Sequence, residues 1–153
     1  MSKSVPAALL AALLLAAATA GAGNLWPPRE YDPGVIAEWN ALLVSAVPPS
    51  AGADIPRYYA LMHIAMYDAI SSIDRRSSAL HSRVPAPRHA STDAAAAQAA
   101  HDVLVALFPD RKSLFDEGRR DRLVTINPER GRLGADVGRA VARSVLAWNA
   151  HKS

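Results

Sequence analysis

The stretch Leu61–Ile70, LMHIAMYDAI, decides how this chain folds. A histidine and an aspartate stand in it among residues that are otherwise apolar or aromatic, with one tyrosine hydroxyl. Read outward, Asp54 can cap a helix that carries Pro56 in its first turn, where a missing N–H costs nothing, and the helical pattern continues to about Ile73. This helix is apolar nearly all round, which predicts the central helix of an all-α domain. His63 and Asp68 lie five residues apart on it, roughly 140° around the axis, so they cannot converge on one ligand. Each reads as a buried polar group bonded to a neighbouring helix or loop backbone, with Arg57 and Arg75 as poorly spaced alternatives for Asp68.

Helices flank this one on both sides. In VIAEWNALLVSAV, Val35, Ile36, Trp39, Leu42, Leu43, Ala46 and Val47 recur on one helical face until Pro48-Pro49 stops it. After a charged, proline-bearing loop from Asp74 to Ala90, Ser91-Thr92-Asp93 offers a cap and an acid for TDAAAAQAAHDVLVALF, ended by Pro109. A fourth helix from Lys112 to Ile126 is interrupted by Gly118 and has little apolar surface. Last, Leu133, Val137, Val141, Val145 and Trp148 form a stripe, with Gly131, Gly134 and Gly138 offering close approach to another helix. The expected fold is a bundle of about four to five helices over 35–153.

The first 23 residues stand apart. Lys3 precedes the apolar run Ala7–Ala20, and Ala18-Thr19-Ala20 or Ala20-Gly21-Ala22 fits a small-x-small cleavage site, as in a secretory signal peptide. The run is shorter than the ~20 residues of a membrane span, although an uncleaved anchor is the competing reading. Residues 24–34 form an extended, proline-rich lead-in. The expected location is therefore secreted or periplasmic, with no span after signal removal. Having no cysteine, the chain can use neither disulfides nor thiolate ligands and depends on packing. A net charge of +3 is too small to imply a nucleic-acid partner.

The search for chemistry yields little. The histidines at 63, 81, 89, 101 and 151 show no zinc-binding spacing, and His101 beside Asp102 reads like His63, as a satisfied core group. No nucleophile elbow, Walker loop or dinucleotide fingerprint occurs, and GRLGADVG lies inside a helical pattern, where close helix packing explains it. The arginines from 111 to 143 alternate with acids and read as solvated helix faces.

Three stretches, EWNALL at 38–43, PRYYALMHIAMYDAI at 56–70 and ASTDAAAAQAAHDVLVALFP at 90–109, together resemble the N-terminal helical half of the vanadium-dependent haloperoxidases and the type 2 phosphatidic acid phosphatase superfamily. Their order and spacing match as well, and the glycine-bearing helix ending VLAWN is similar to the next helix of that family. The resemblance implies that MHIAMYDA is scaffold. It also implies that vanadate or phosphate is bound by a later half through Lys-x6-Arg-Pro, Pro-Ser-Gly-His and Ser-Arg-x5-His-x3-Asp motifs, so no cofactor is expected on this chain. An oxyanion in a desolvated pocket needs several cationic donors, and a histidine there serves as nucleophile or proton carrier.

Two fragments mimic those motifs. Ser82, Arg83, His89 and Asp93 fit the third, and Lys112 with Arg119 fits the first except that Arg120 replaces the proline. Their order is reversed, Pro85 and Pro87 interrupt the third motif, and no Pro-Ser-Gly-His occurs. The expectation is a truncated, catalytically incomplete relative with no catalytic, cofactor-binding or metal-binding residues of its own. The alternatives are a helical interaction module, self-associating or paired with a separate chain, and a small phosphate- or vanadate-binding enzyme using Arg83, His89, Lys112 and Arg119.

Overall fold

The computed structural model describes residues 31–151, all of whose regular elements are helical. The expected signal peptide at 1–23 and the lead-in before Tyr31 lie outside the described residues. Five α-helices follow in order: α1 (Gly34–Ala46), α2 (Ile55–Asp74), α3 (Thr92–Leu107), α4 (Lys112–Val124) and α5 (Pro128–Ala150), with short 3-10 turns at Pro49–Asp54 and Pro109–Arg111. No described helix is long and apolar enough to cross a membrane.

The central position belongs to α3, not to α2 as the apolar pattern of α2 predicted. Ala94, Ala95, Ala96, Ala97, Ala99 and Ala100 are all fully buried, because side chains of one carbon let neighbours press against every side of α3. α3 packs against α1, α2, α4 and α5. α2 covers it with Leu61, Met62, Ala65, Met66 and Ala69, while Tyr67 stays exposed and His63, Ile64 and Ile70 half-buried.

The closest contact is with α5. A Cβ added to Gly134 would lie 2.2 Å from the carbonyl oxygen of Ser91, and one on Gly138 would lie 2.3 Å from that of Ala95. Both obstacles are backbone, so only glycine fits. Gly131 differs, since its Cβ would meet only the Ile126 side chain, at 3.5 Å. Gly118 does not interrupt α4: the Leu42 side chain of α1 packs over it and the helix runs on to Val124.

Caps set the helix boundaries. Ser91 accepts a hydrogen bond from the Ala94 amide at 3.2 Å and Asn127 accepts one from Arg130 at 3.1 Å. Asp54 makes no such cap, contrary to expectation, because the 3-10 turn already places it in helical φ/ψ and leads straight into α2. Asp93 stands in the first turn of α3 as the acid expected there, and its Oδ1 accepts the amide of Asp32 at 3.0 Å, which ties Asp32 to α3. α2 ends on Arg75, whose φ of 59° is left-handed and whose guanidinium reaches the Ala86 carbonyl at 2.8 Å.

Candidate functional site

Asp68, the acid of the quoted stretch, is fully buried beside the connection from α2 to α3. Its Oδ1 accepts the Leu80 amide at 2.6 Å, and its Oδ2 accepts those of His81 and Ser82 at 2.9 and 2.7 Å. One turn on, the Ser72 hydroxyl donates to the Asp68 carbonyl at 2.7 Å and accepts the Val84 amide at 3.2 Å. Three successive amides aimed at one carboxylate form an anion nest that the protein fills from its own chain. The partners are loop amides, not Arg57 or Arg75. Sequence spacing gave no access to them, since they lie 12 to 14 residues away across an irregular loop.

His63 occupies a different setting, on the groove between α2 and α1. Its Nε2 lies 2.9 Å from Asn40 Oδ1, and Tyr59 stacks on the ring with centroids 6.1 Å apart. Burial pushes its pKa below the ordinary histidine value, which favours a neutral ring donating from Nε2 to the amide oxygen. On α2, Ala60, His63, Ile64 and Tyr67 form an i, i+3, i+4, i+7 stripe that faces Ile36 of α1 across a groove of about 400 Å³. Tyr31, Met66 and Leu80 also line it.

A polar network lies between α3 and α4. His101 is 7% exposed, with Nδ1 at 2.7 Å from Asp102 Oδ1 and Nε2 at 2.8 Å from Asp116 Oδ1. Asp102 also accepts from Gln98 Nε2 at 2.7 Å, Gln98 Oε1 accepts from Arg119 at 3.2 Å, and Lys112 donates to Asp116. Hydrogen bonds from the Lys112 ammonium, then from His101, hold the Asp116 carboxyl at about 2. Each ring nitrogen of His101 thus lies within hydrogen-bond distance of a carboxylate, one on its own helix and one on α4. This arrangement clamps α4 onto α3, and it contains no hydroxyl or thiol for His101 to activate. The i, i+4 pairs Gln98–Asp102 and Lys112–Asp116 are visible in the sequence, whereas the His101–Asp116 contact exists only once the helices pack.

The motif mimics do not form one cluster. Arg83 donates to the Ser77 carbonyl within its own loop, and His89 is exposed with its carbonyl accepting from Arg130 at 2.9 Å. Lys112 and Arg119 lie on α4, engaged with Asp116 and Gln98, and share no hydrogen bond or ion pair with Arg83 or His89. Lys112, Arg119 and Arg120 do line an open hollow of about 520 Å³, walled by α4 alone. The Arg119 Nε beside it is buried and without a partner. No group of three His, Asp or Glu side chains placed to hold a metal occurs among the described residues. No protein family, curated protein or solved structure matches the chain.

Proposed function

We propose that this chain is an exported helical scaffold of the kind the sequence resembles, the N-terminal half of a vanadium-dependent haloperoxidase or type 2 phosphatidic acid phosphatase relative, and that it does not assemble an oxyanion site by itself. The observation that supports this reading is the use made of Asp68. The most chemically suggestive acid of MHIAMYDAI directs both carboxylate oxygens at loop amides and holds a connection in shape. The spacing of Arg83, His89, Lys112 and Arg119 works against an oxyanion pocket, because such a pocket needs its cations converging on one point.

Titration of the chain with orthovanadate, followed by vanadium NMR and calorimetry, tests this reading. The expected result is no saturable binding. One-to-one binding abolished by His89→Ala would replace the scaffold with the small phosphate- or vanadate-binding enzyme. A second reading, an interaction module that self-associates or pairs with another chain, is favoured by the exposure of Val44, Leu80 and Val124 at 63%, 67% and 80%. Sedimentation of the chain alone decides it, with a dimer mass supporting self-association.

A further inference from the structure

α1 packs on α3 and α4, so a gap stays open between it and α2, bridged by the contact of His63 with Asn40 at 2.9 Å. The groove there has about 400 Å³, within the roughly 300–1,000 Å³ usual for small-ligand sites. Its walls are Ile36 of α1 and Ala60, Ile64 and Met66 of α2, with Leu80 from the loop that follows. None of the side chains that line it is an acid, a lysine or an arginine. A charged ligand would lose its water there and meet no opposite charge. The complementary occupant is therefore uncharged and largely apolar.

One polar atom narrows the choice further. The His63 ring is held twice, by Asn40 at Nε2 and by Tyr59 stacked on its face at an interplanar angle of 12°. Burial favours the neutral ring, and with Nε2–H donating to Asn40 Oδ1 the other nitrogen is left as an acceptor. Among the described residues Nδ1 makes no hydrogen bond, and it is not sealed inside the bundle, where Arg119 Nε is the sole buried side-chain atom without a partner. A fixed acceptor in an otherwise apolar lining matches a ligand with one donor. A phenolic hydroxyl supplies it and stays uncharged at neutral pH, its pKa being about 10. The aromatic ring suits Met66, whose sulfur makes favourable contacts with ring edges, and the tyrosines Tyr31 and Tyr67.

We propose that the groove between α1 and α2 is a binding site for a small uncharged phenol, whose hydroxyl donates to His63 Nδ1 and whose ring lies against Ile36 and Ile64.

Titration of the full chain with p-cresol, followed through the methyl resonances of Ile36 and Ile64, tests the proposal. Saturable shifts of both are expected. p-Xylene, in which a methyl replaces the hydroxyl, should bind about fivefold more weakly for want of one hydrogen bond, and the anion p-toluate should not bind. His63→Phe keeps a ring for Tyr59 to stack on but has no acceptor. It should bring p-cresol down to the level of p-xylene and leave p-xylene unchanged, a pattern that misfolding does not produce. Ala60→Phe, at an exposed position of the lining, should fill the groove and abolish binding of both. Shifts that do not saturate, equal affinity for p-cresol and p-xylene, or p-toluate bound as tightly as p-cresol each overturn the proposal. So do shifts that grow with protein concentration before any ligand is added, which would mean that the groove takes a second copy. Because the groove has no cationic side chain, the outcome is independent of the orthovanadate titration.

Discussion

Asp68 and His63 face opposite electrostatic problems although they share one helix. Asp68 is buried as an acceptor among three amides. Removing it leaves those N–H groups without an acceptor, each costing about 1–3 kcal/mol if water cannot reach it. Asp68→Ala is therefore expected to lower stability by about 3 kcal/mol or more in urea unfolding, and Asp68→Asn by less, because one oxygen still accepts. His63 is lowered by burial, so the unfolded chain takes up the proton at a higher pH than the folded one. Its contribution is complete above the ordinary value of 6.5 and falls away as pH drops through the lowered folded value. Stability measured from pH 7 down to 5 should decline, and His63→Gln should remove that part of the slope.

Among the elements, α5 and α3 depend on two glycines and α4 does not depend on its own. Gly134 and Gly138 meet backbone carbonyls, so Gly→Ala at either forces the helices apart, at about 3 kcal/mol or more for overpacking that cannot relax. At Gly118 the obstacle is the tip of Leu42, which can change rotamer for about 0.5–1.5 kcal/mol, while alanine gains about 1 kcal/mol of helix propensity. Thermal unfolding should thus show Gly134→Ala and Gly138→Ala well below the parent and Gly118→Ala close to it. The all-α class and the glycine contact of the last helix were legible, because apolar spacing and the GRLGADVG run report directly on helix faces. The identity of the central helix was not. An alanine-rich segment has modest hydrophobicity, so the large residues of α2 looked more buried than the small ones of α3, whereas close backbone approach favours the small. The Asp68 amides and the His101–Asp116 contact escaped for another reason: their partners come from loops and helices whose positions only the packed bundle defines.

At the scale of the whole molecule, α4 is the element most separable from the rest. Phe115 is its sole fully buried residue, with Leu114 part-buried against the core and Leu42 packed over Gly118, so polar contacts at its two ends add to a small apolar attachment. At one end, His101 and Lys112 hold Asp116; at the other, Arg122 reaches Glu38 at 2.5 and 3.1 Å and Asp32 at 2.9 Å, joining α4 to α1 and the lead-in. Each is an ion-pair network at or near solvent, where a single pair is worth little but a shared guanidinium holds several groups in register. Amide hydrogen exchange should accordingly release α4 before α3 and α5, whose glycine-mediated contact buries both backbones. Asp116 gives this order a pH dependence. Its folded value of about 2 lies below its ordinary 3.8, so the stabilisation it supplies is full above 3.8 and is lost as pH falls through about 2. Exchange in α4 should therefore accelerate selectively across that window, and Asp116→Asn should make it fast already at pH 5. Arg122→Ala should speed exchange in α4 together with residues 32–38, because the same side chain anchors both. Uniform protection across α3, α4 and α5 would show instead that the apolar contacts of Phe115, Leu114 and Gly118 suffice and that the two charge networks hold nothing the core does not.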